Sequence, residues 1–177
     1  REQLLHIENR LAHPEVLPGP TGESNILYLE SRGILACVRC QDTSFSFWMI
    51  SVISALAAGN SVIALVDDAY LNESQAIRSA LIKAGLPEGV FQVARMGHLP
   101  ALLTDKSLAG AVIDNASPMK KLVGETLAAR SGAILPLITA YNNENLFDRL
   151  VTEKTVTIDT TAAGGNASLM TMESNFA

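Results

Sequence analysis

Phe45-Ser-Phe-Trp-Met-Ile-Ser-Val-Ile-Ser-Ala-Leu-Ala-Ala-Gly-Asn-Ser-Val-Ile-Ala-Leu-Val66 runs an apolar helix, a two-residue stop and an uninterrupted apolar strand together. From Phe45 to Ala58 only Ser46, Ser51 and Ser54 break the apolar run, which predicts a helix buried on most sides. Gly59-Asn60 supplies the expected C-terminal punctuation. Ser61 to Val66 has no polar alternation, as a parallel strand covered on both faces requires. Such a strand needs helices above and below it.

The neighbouring segments meet that need. Toward the N-terminus, Arg1 to Ala12 has helix-like spacing at Leu4, Leu5, Ile7 and Leu11, ended by Pro14. Leu17-Pro-Gly-Pro-Thr-Gly-Glu23 is a stiff loop. Strands follow at Asn25–Leu29 and Ile34–Val38, with Arg32-Gly33 as a turn. Toward the C-terminus, helices are expected at about 72–84, 101–106, 120–130 and 144–152. Strands are expected at 90–94, 110–113, 133–139 and 155–160. Strand and helix alternate with short glycine-marked joints, the pattern of a doubly wound α/β sheet. The stretch from Ala162 to Ala177 lacks a clear period and reads as an extended segment.

Composition narrows the function classes. The 177 residues are 48% hydrophobic and 18% charged, and the mean hydropathy is +0.23. That suits a fully covered sheet or a domain docked on other protein. No apolar run reaches the roughly 18 residues of a membrane span. A net charge of −5 argues against a nucleic-acid face. The chain opens on Arg1 with no secretory pattern, so a fragment or processed chain is expected. Cys37-Val-Arg-Cys40 has the spacing of a redox pair but lacks the aromatic-Gly-Pro surroundings of thiol oxidoreductases. The plainer reading is a buried strand cysteine and an incidental neighbour. His6, His13 and His98 fall at no zinc-ligand spacing. Asp67-Asp68 is read as a helix start rather than a metal pair, Asn142-Asn143-Glu144-Asn145 as a turn and cap, and Trp48 and Tyr141 as packing residues.

Residues Phe47 to Val93 resemble the NAD-binding domain of aldehyde dehydrogenases. Ala55-Leu-Ala-Ala-Gly-Asn-Ser-Val-Ile63 is similar to that family's helix-to-strand passage, and Ala84-Gly-Leu-Pro-Glu-Gly-Val-Phe-Gln-Val93 to its next joint. The resemblance implies a Rossmann-like, doubly wound, mostly parallel sheet with extra strands and an extended C-terminal segment. The chemical positions differ. Where the family carries Lys-Pro-Ser-Glu, whose lysine binds the adenosine ribose, this chain reads Leu65-Val-Asp-Asp68. Leucine cannot donate a hydrogen bond, and Asp67 with Asp68 would repel a pyrophosphate. The family's Phe-Thr-Gly-Ser becomes Ile113-Asp-Asn-Ala116, with Asn115 in place of the glycine, and Glu-Leu-Gly-Gly becomes Leu135-Pro-Leu-Ile138. A catalytic domain with its nucleophilic cysteine would follow the last cofactor strand, yet the chain passes directly to its closing segment. No catalytic residue is expected, and no bound cofactor or metal.

Two end motifs narrow the resemblance. Leu17-Pro-Gly-Pro-Thr-Gly-Glu-Ser-Asn25 and Thr157-Ile-Asp-Thr-Thr-Ala-Ala-Gly-Gly-Asn-Ala-Ser-Leu-Met170 are similar to stretches of the long proline utilization A (PutA) proteins, the second at their C-terminus. That family oxidises proline to glutamate through an FAD-dependent proline dehydrogenase module and an NAD-dependent glutamate semialdehyde dehydrogenase module. The resemblance implies a non-catalytic domain whose partners are those two modules of the same polypeptide. It would cover the dehydrogenase active site and close the passage between the two active sites. Ala163, Gly164, Gly165, Asn166, Ala167, Ser168, Leu169 and Met170 would form the lid. Paired small residues permit close backbone approach, and Leu169 and Met170 can fill an apolar groove. The plainer alternative is a frayed terminal strand. DNA binding in that family belongs to an N-terminal segment. The implied location is cytoplasmic, with a parent peripheral to the inner membrane as the alternative. The implied division is a linker at 1–24, a degenerate Rossmann-like domain at 25–154, and a strand with tail at 155–177. A vestigial NAD-binding or sensor module is the competing function.

Overall fold

The computed structural model of the protein describes residues 5, 8–11, 13–139 and 143–159, with side chains omitted at 143–145. Two sheets organise it. Five parallel strands, β3 (Ile34–Arg39), β4 (Ser61–Val66), β5 (Phe91–Arg95), β6 (Leu108–Val112) and β7 (Leu137–Ile138), lie in the order β5-β4-β3-β6-β7. Three antiparallel strands, β1 (Glu15–Leu17), β2 (Glu23–Ser31) and β8 (Val151–Asp159), lie in the order β1-β2-β8. The turn at Arg32-Gly33 therefore joins two sheets rather than two arms of a hairpin. Strand β1 was not legible because three residues beside a Pro/Gly loop carry no period. The boundaries placed at 24/25 and 154/155 fall inside β2 and β8.

The helices are α1 (Phe45–Ala57), α2 (Leu71–Lys83), α3 (Leu99–Thr104), α4 (Lys120–Ala128) and α5 (Asn143–Leu150). Ser44 caps α1 by accepting from the Phe47 amide. Strand alternation divides the core in two. On one face Leu35, Cys37, Val62, Ala64 and Val66 meet Trp48, Val52 and Ala55 of α1 and Leu146, Phe147 and Leu150 of α5, with Ile77 and Leu81 of α2 packed against them. On the other, Ala36, Val38, Leu65, Ala111 and Ile113 meet Leu99 and Leu103 of α3 and Val123 and Leu127 of α4. Layers on both faces explain why these strands are apolar throughout.

Two expectations change. Helix α1 is less enclosed than its composition suggests: Phe45 and Ile53 stand 44% and 39% exposed. The strand expected at 133–139 shrinks to Leu137–Ile138, and Ile134 is almost fully exposed. Pro136 has no amide to donate, so the ladder begins only with its carbonyl, which accepts from Ala111 N at 3.1 Å.

Asn60 holds the two sheets together. Its Oδ1 accepts from the amides of Arg32 and Gly33 at 2.8 and 3.1 Å, and its Nδ2 donates to the carbonyls of Ala55 and Leu150 at 3.1 and 3.0 Å. The residue is 1% exposed. What reads in sequence as a helix stop is a buried junction between the β2–β3 turn, α1 and the end of α5.

Candidate functional site

In a doubly wound sheet the ligand crevice opens at the carboxyl ends of the strands, where the strand order reverses. Here that point lies between β3 and β6. The residues just beyond those strands close it: Cys40 Sγ lies 3.0 Å from Ser117 Oγ and 3.4 Å from Thr43 Oγ1, and all three residues are buried. Side chains of the chain itself occupy the crevice mouth.

Leu65 sits one strand away, fully buried among Ala36, Val38, Leu99, Leu103 and Ile113. It belongs to the packing between sheet and helices. Asp67 stands at the head of a short helical turn, but its side chain makes no capping bond. Asp68 is exposed and pairs with Arg95 at 3.0 Å. In the Ile113–Ala116 stretch, Asp114 Oδ1 accepts from Ala116 N at 3.0 Å, folding the loop on itself. Asn115 Oδ1 accepts from Lys120 Nζ at 2.7 Å. Leu137 and Ile138 pair with Ala111 and Val112, and Ile138 is buried. Thus Leu65 and the 113–117 loop share one face of the sheet, while Asp67 and Asp68 lie at its rim.

These residues do not fit a dinucleotide. Leu65, where the resemblance places the family's ribose-binding lysine, is an apolar side chain sunk in the core, Asp67 and Asp68 lie at the rim, and the crevice mouth is closed by Cys40 against Ser117. Neither described cysteine offers a nucleophile in such a site. Burial pushes the Cys37 thiol up to about 12, so it stays protonated at neutral pH. Cys40 is buried and engaged by two hydroxyls. Among the described residues no three His, Cys, Asp or Glu side chains converge as a metal site, and no helix is long and apolar enough to cross a membrane.

Sequence reasoning missed the most unusual group at this edge. Arg39, the last residue of β3, is 4% exposed and donates from Nη1 to Glu73 Oε2 at 2.7 Å. Its guanidinium lies over the rings of Tyr70, Phe45 and Trp48. An arginine closing an apolar strand was the only local signal, and its partners come from α1, from the turn before α2 and from α2 itself. The expected lid residues, Ala163 to Met170, lie outside the described residues, as does Tyr141. The chain enters that segment from β8, whose last residue Asp159 pairs with Glu23.

The sequence model of the aldehyde dehydrogenase family matches residues 4–126. The bifunctional protein PutA of Escherichia coli (strain K12) is 31% identical over 162 residues, covering 89% of this chain. The chain spans only 11 to 12% of the length of the curated relatives it matches. Among solved structures, a variant of Bradyrhizobium japonicum proline utilization A (PutA) superposes with a TM-score of 0.67 at 28% identity, over 75% of this chain and 14% of that one. An NAD-dependent benzaldehyde dehydrogenase from Corynebacterium glutamicum superposes with a TM-score of 0.64 at 20% identity, over 78% and 30% of the two chains. That last likeness speaks to fold alone.

Proposed function

The chain belongs to the aldehyde dehydrogenase family, and from that premise we propose that it is a non-catalytic structural domain of a bifunctional proline-catabolic enzyme. It covers the glutamate semialdehyde dehydrogenase active site and closes the passage that channels substrate between two catalytic modules. Those modules, in the same polypeptide, are its partners, and they carry the FAD and NAD. The protein works in the cytoplasm. The domain itself holds neither cofactor.

One observation carries this reading: Leu65, at the place of the family's ribose-binding lysine, is fully buried in the core. A side chain that has become packing material leaves no donor for a ribose hydroxyl. Restoring lysine there would bury an unpaired charge. The high thiol pKa of Cys37 and the closed Cys40–Ser117 contact support the same conclusion. The covering role draws on β8, exposed from Thr152 to Asp159 and leading into the lid residues Ala163, Gly164, Gly165, Asn166, Ala167, Ser168, Leu169 and Met170.

Removing this domain from the full-length enzyme is expected to lower proline-to-glutamate turnover while the proline dehydrogenase step survives. Leu169→Glu with Met170→Glu should lower coupled turnover and release more of the intermediate. Unchanged coupled kinetics in a folded deletion variant would sink the proposal. The competing reading, a surviving NAD sensor, is tested by titration calorimetry of the chain with NAD. Saturable binding below millimolar would favour it.

A further inference from the structure

The guanidinium of Arg39 is walled by three aromatic rings and one carboxylate drawn from separate elements. Its Cζ lies 3.9 Å from the ring centroid of Tyr70 and 5.0 Å from those of Phe45 and Trp48. Phe45 and Trp48 belong to α1, Tyr70 to the turn before α2, and Glu73 to the first turn of α2. The Phe45 and Trp48 rings stand 6.2 Å apart at 41°, as adjoining walls. Tyr70 is itself anchored, its hydroxyl donating to the Gln41 carbonyl at 3.3 Å.

Ring faces carry negative quadrupole density, so three of them converging with a carboxylate create a site of negative potential, its outer walls Phe45 and Glu73 half exposed and the Arg39 they shield buried. That chemistry favours weakly hydrated cations, guanidinium or alkylated ammonium, over small strongly hydrated ones. Hydrogen bonding alone does not account for the arrangement. Arg39 Nε and Trp48 Nε1 are both buried with no partner, whereas ring contact and the Glu73 ion pair are well formed. The site lies on the face of the sheet opposite Leu65, because Arg39 follows Leu35 and Cys37 in the strand alternation. It is separate from Leu65 and from the 113–117 loop.

We propose that Phe45, Trp48, Tyr70 and Glu73 form a binding cage for guanidinium and alkylammonium cations, which the chain fills with its own Arg39. Occupied in this way the cage is a latch. It fastens the first turns of α1 and α2, and the turn between β4 and α2, to the end of β3.

Trp48 is the one tryptophan of the 177 residues, so its fluorescence reports on the cage. In the Arg39→Ala chain, millimolar methylguanidinium is expected to change that fluorescence saturably and to raise the thermal midpoint by several degrees, as a ligand of the native state does. The wild-type chain should not respond, nor should the variant respond to sodium or urea at equal concentration. Adding Tyr70→Leu should abolish the response. A folded Arg39→Ala chain that responds no more than wild type overturns the proposal. Where Arg39→Ala does not fold, Arg39→Met and Tyr70→Leu, made singly and together, decide the matter. Their effects on the unfolding constant should depart from additivity by about three- to thirty-fold, and simple additivity overturns the cage.

Discussion

In the five-stranded sheet β3, β4 and β6 are buried almost residue for residue, whereas β8 of the three-stranded sheet is exposed at every position after Val151. Both sheets contain β-branched residues, and both are tied to the same buried Asn60. They differ in what covers them. Helices close both faces of the parallel sheet, while the antiparallel sheet leaves Val16, Val156 and Ile158 in the open. Register sets Val16, Ile26 and Val156 side by side across β1, β2 and β8. The contrast teaches where change is tolerated. A residue inside the parallel sheet must first satisfy packing, and Leu65 and Ile113 do so, both fully buried against the helices. The proposed covering role instead uses the sheet whose surface is free.

The largest test of that contrast removes the rivet between the sheets. Asn60→Ala would leave the half-buried Arg32 and Gly33 amides and the buried Leu150 carbonyl without their side-chain partner, while the Ala55 carbonyl keeps the backbone amide of residue 60, and should lower stability by roughly 3 kcal/mol in urea unfolding. A loss under about 1 kcal/mol would mean that the two sheets are not held through this residue.

Within the parallel sheet, Gly110→Ala comes next. A Cβ there would meet Pro136 Cγ at 3.0 Å, the Pro136 carbonyl oxygen at 3.1 Å and Leu35 Cδ2 at 3.2 Å. Because one neighbour is backbone, the change should cost about 2 kcal/mol by thermal or urea unfolding. A neutral outcome would break the claim of tight packing between β3, β6 and β7.

Cys37 sharpens the same point through pH. Its thiol is held protonated by burial up to about 12, against 9.0 for the unperturbed group. The unfolded chain therefore ionises first, and the raised pKa contributes stability that is full below about 9 and lost as pH rises toward 12. Between those values wild type should lose roughly 1.4 kcal/mol per pH unit relative to Cys37→Ala. Parallel pH profiles of the two proteins would contradict the burial argument.

The smallest expected effect lies on the open sheet. Val156→Thr should shift the stability of the chain by less than about 0.5 kcal/mol. The same change in the full-length enzyme should weaken coupled turnover if this face docks on the dehydrogenase module. A large stability loss in the chain would show that β8 is better packed than its exposure indicates.

Local sequence carried much of the fold because parallel strands and their helices have a periodic signature. Ser61–Val66, with Gly59-Asn60 before it, reads as a strand buried on both faces and is one. That Leu65 is apolar and carries no donor was equally legible, since it is a statement about residue type. Legibility failed where a contact spans elements. Nothing near Arg39 in the chain says that Tyr70 and Glu73 will enclose it, and nothing at Asn60 announces Leu150. Pro136 was visible, yet only the ladder partner at Ala111 shows how it shortens β7.

By itself, then, the sequence determined a doubly wound sheet and which residue types stand at Leu65 and Ile113–Ala116, because periodicity and residue chemistry are local properties. Tertiary structure alone decided that Leu65 is core, that Cys40 closes the crevice on Ser117, and that Arg39 fills an aromatic cage. Each of those depends on which distant residues arrive at one point, and burial and hydrogen bonding, rather than chain order, select them.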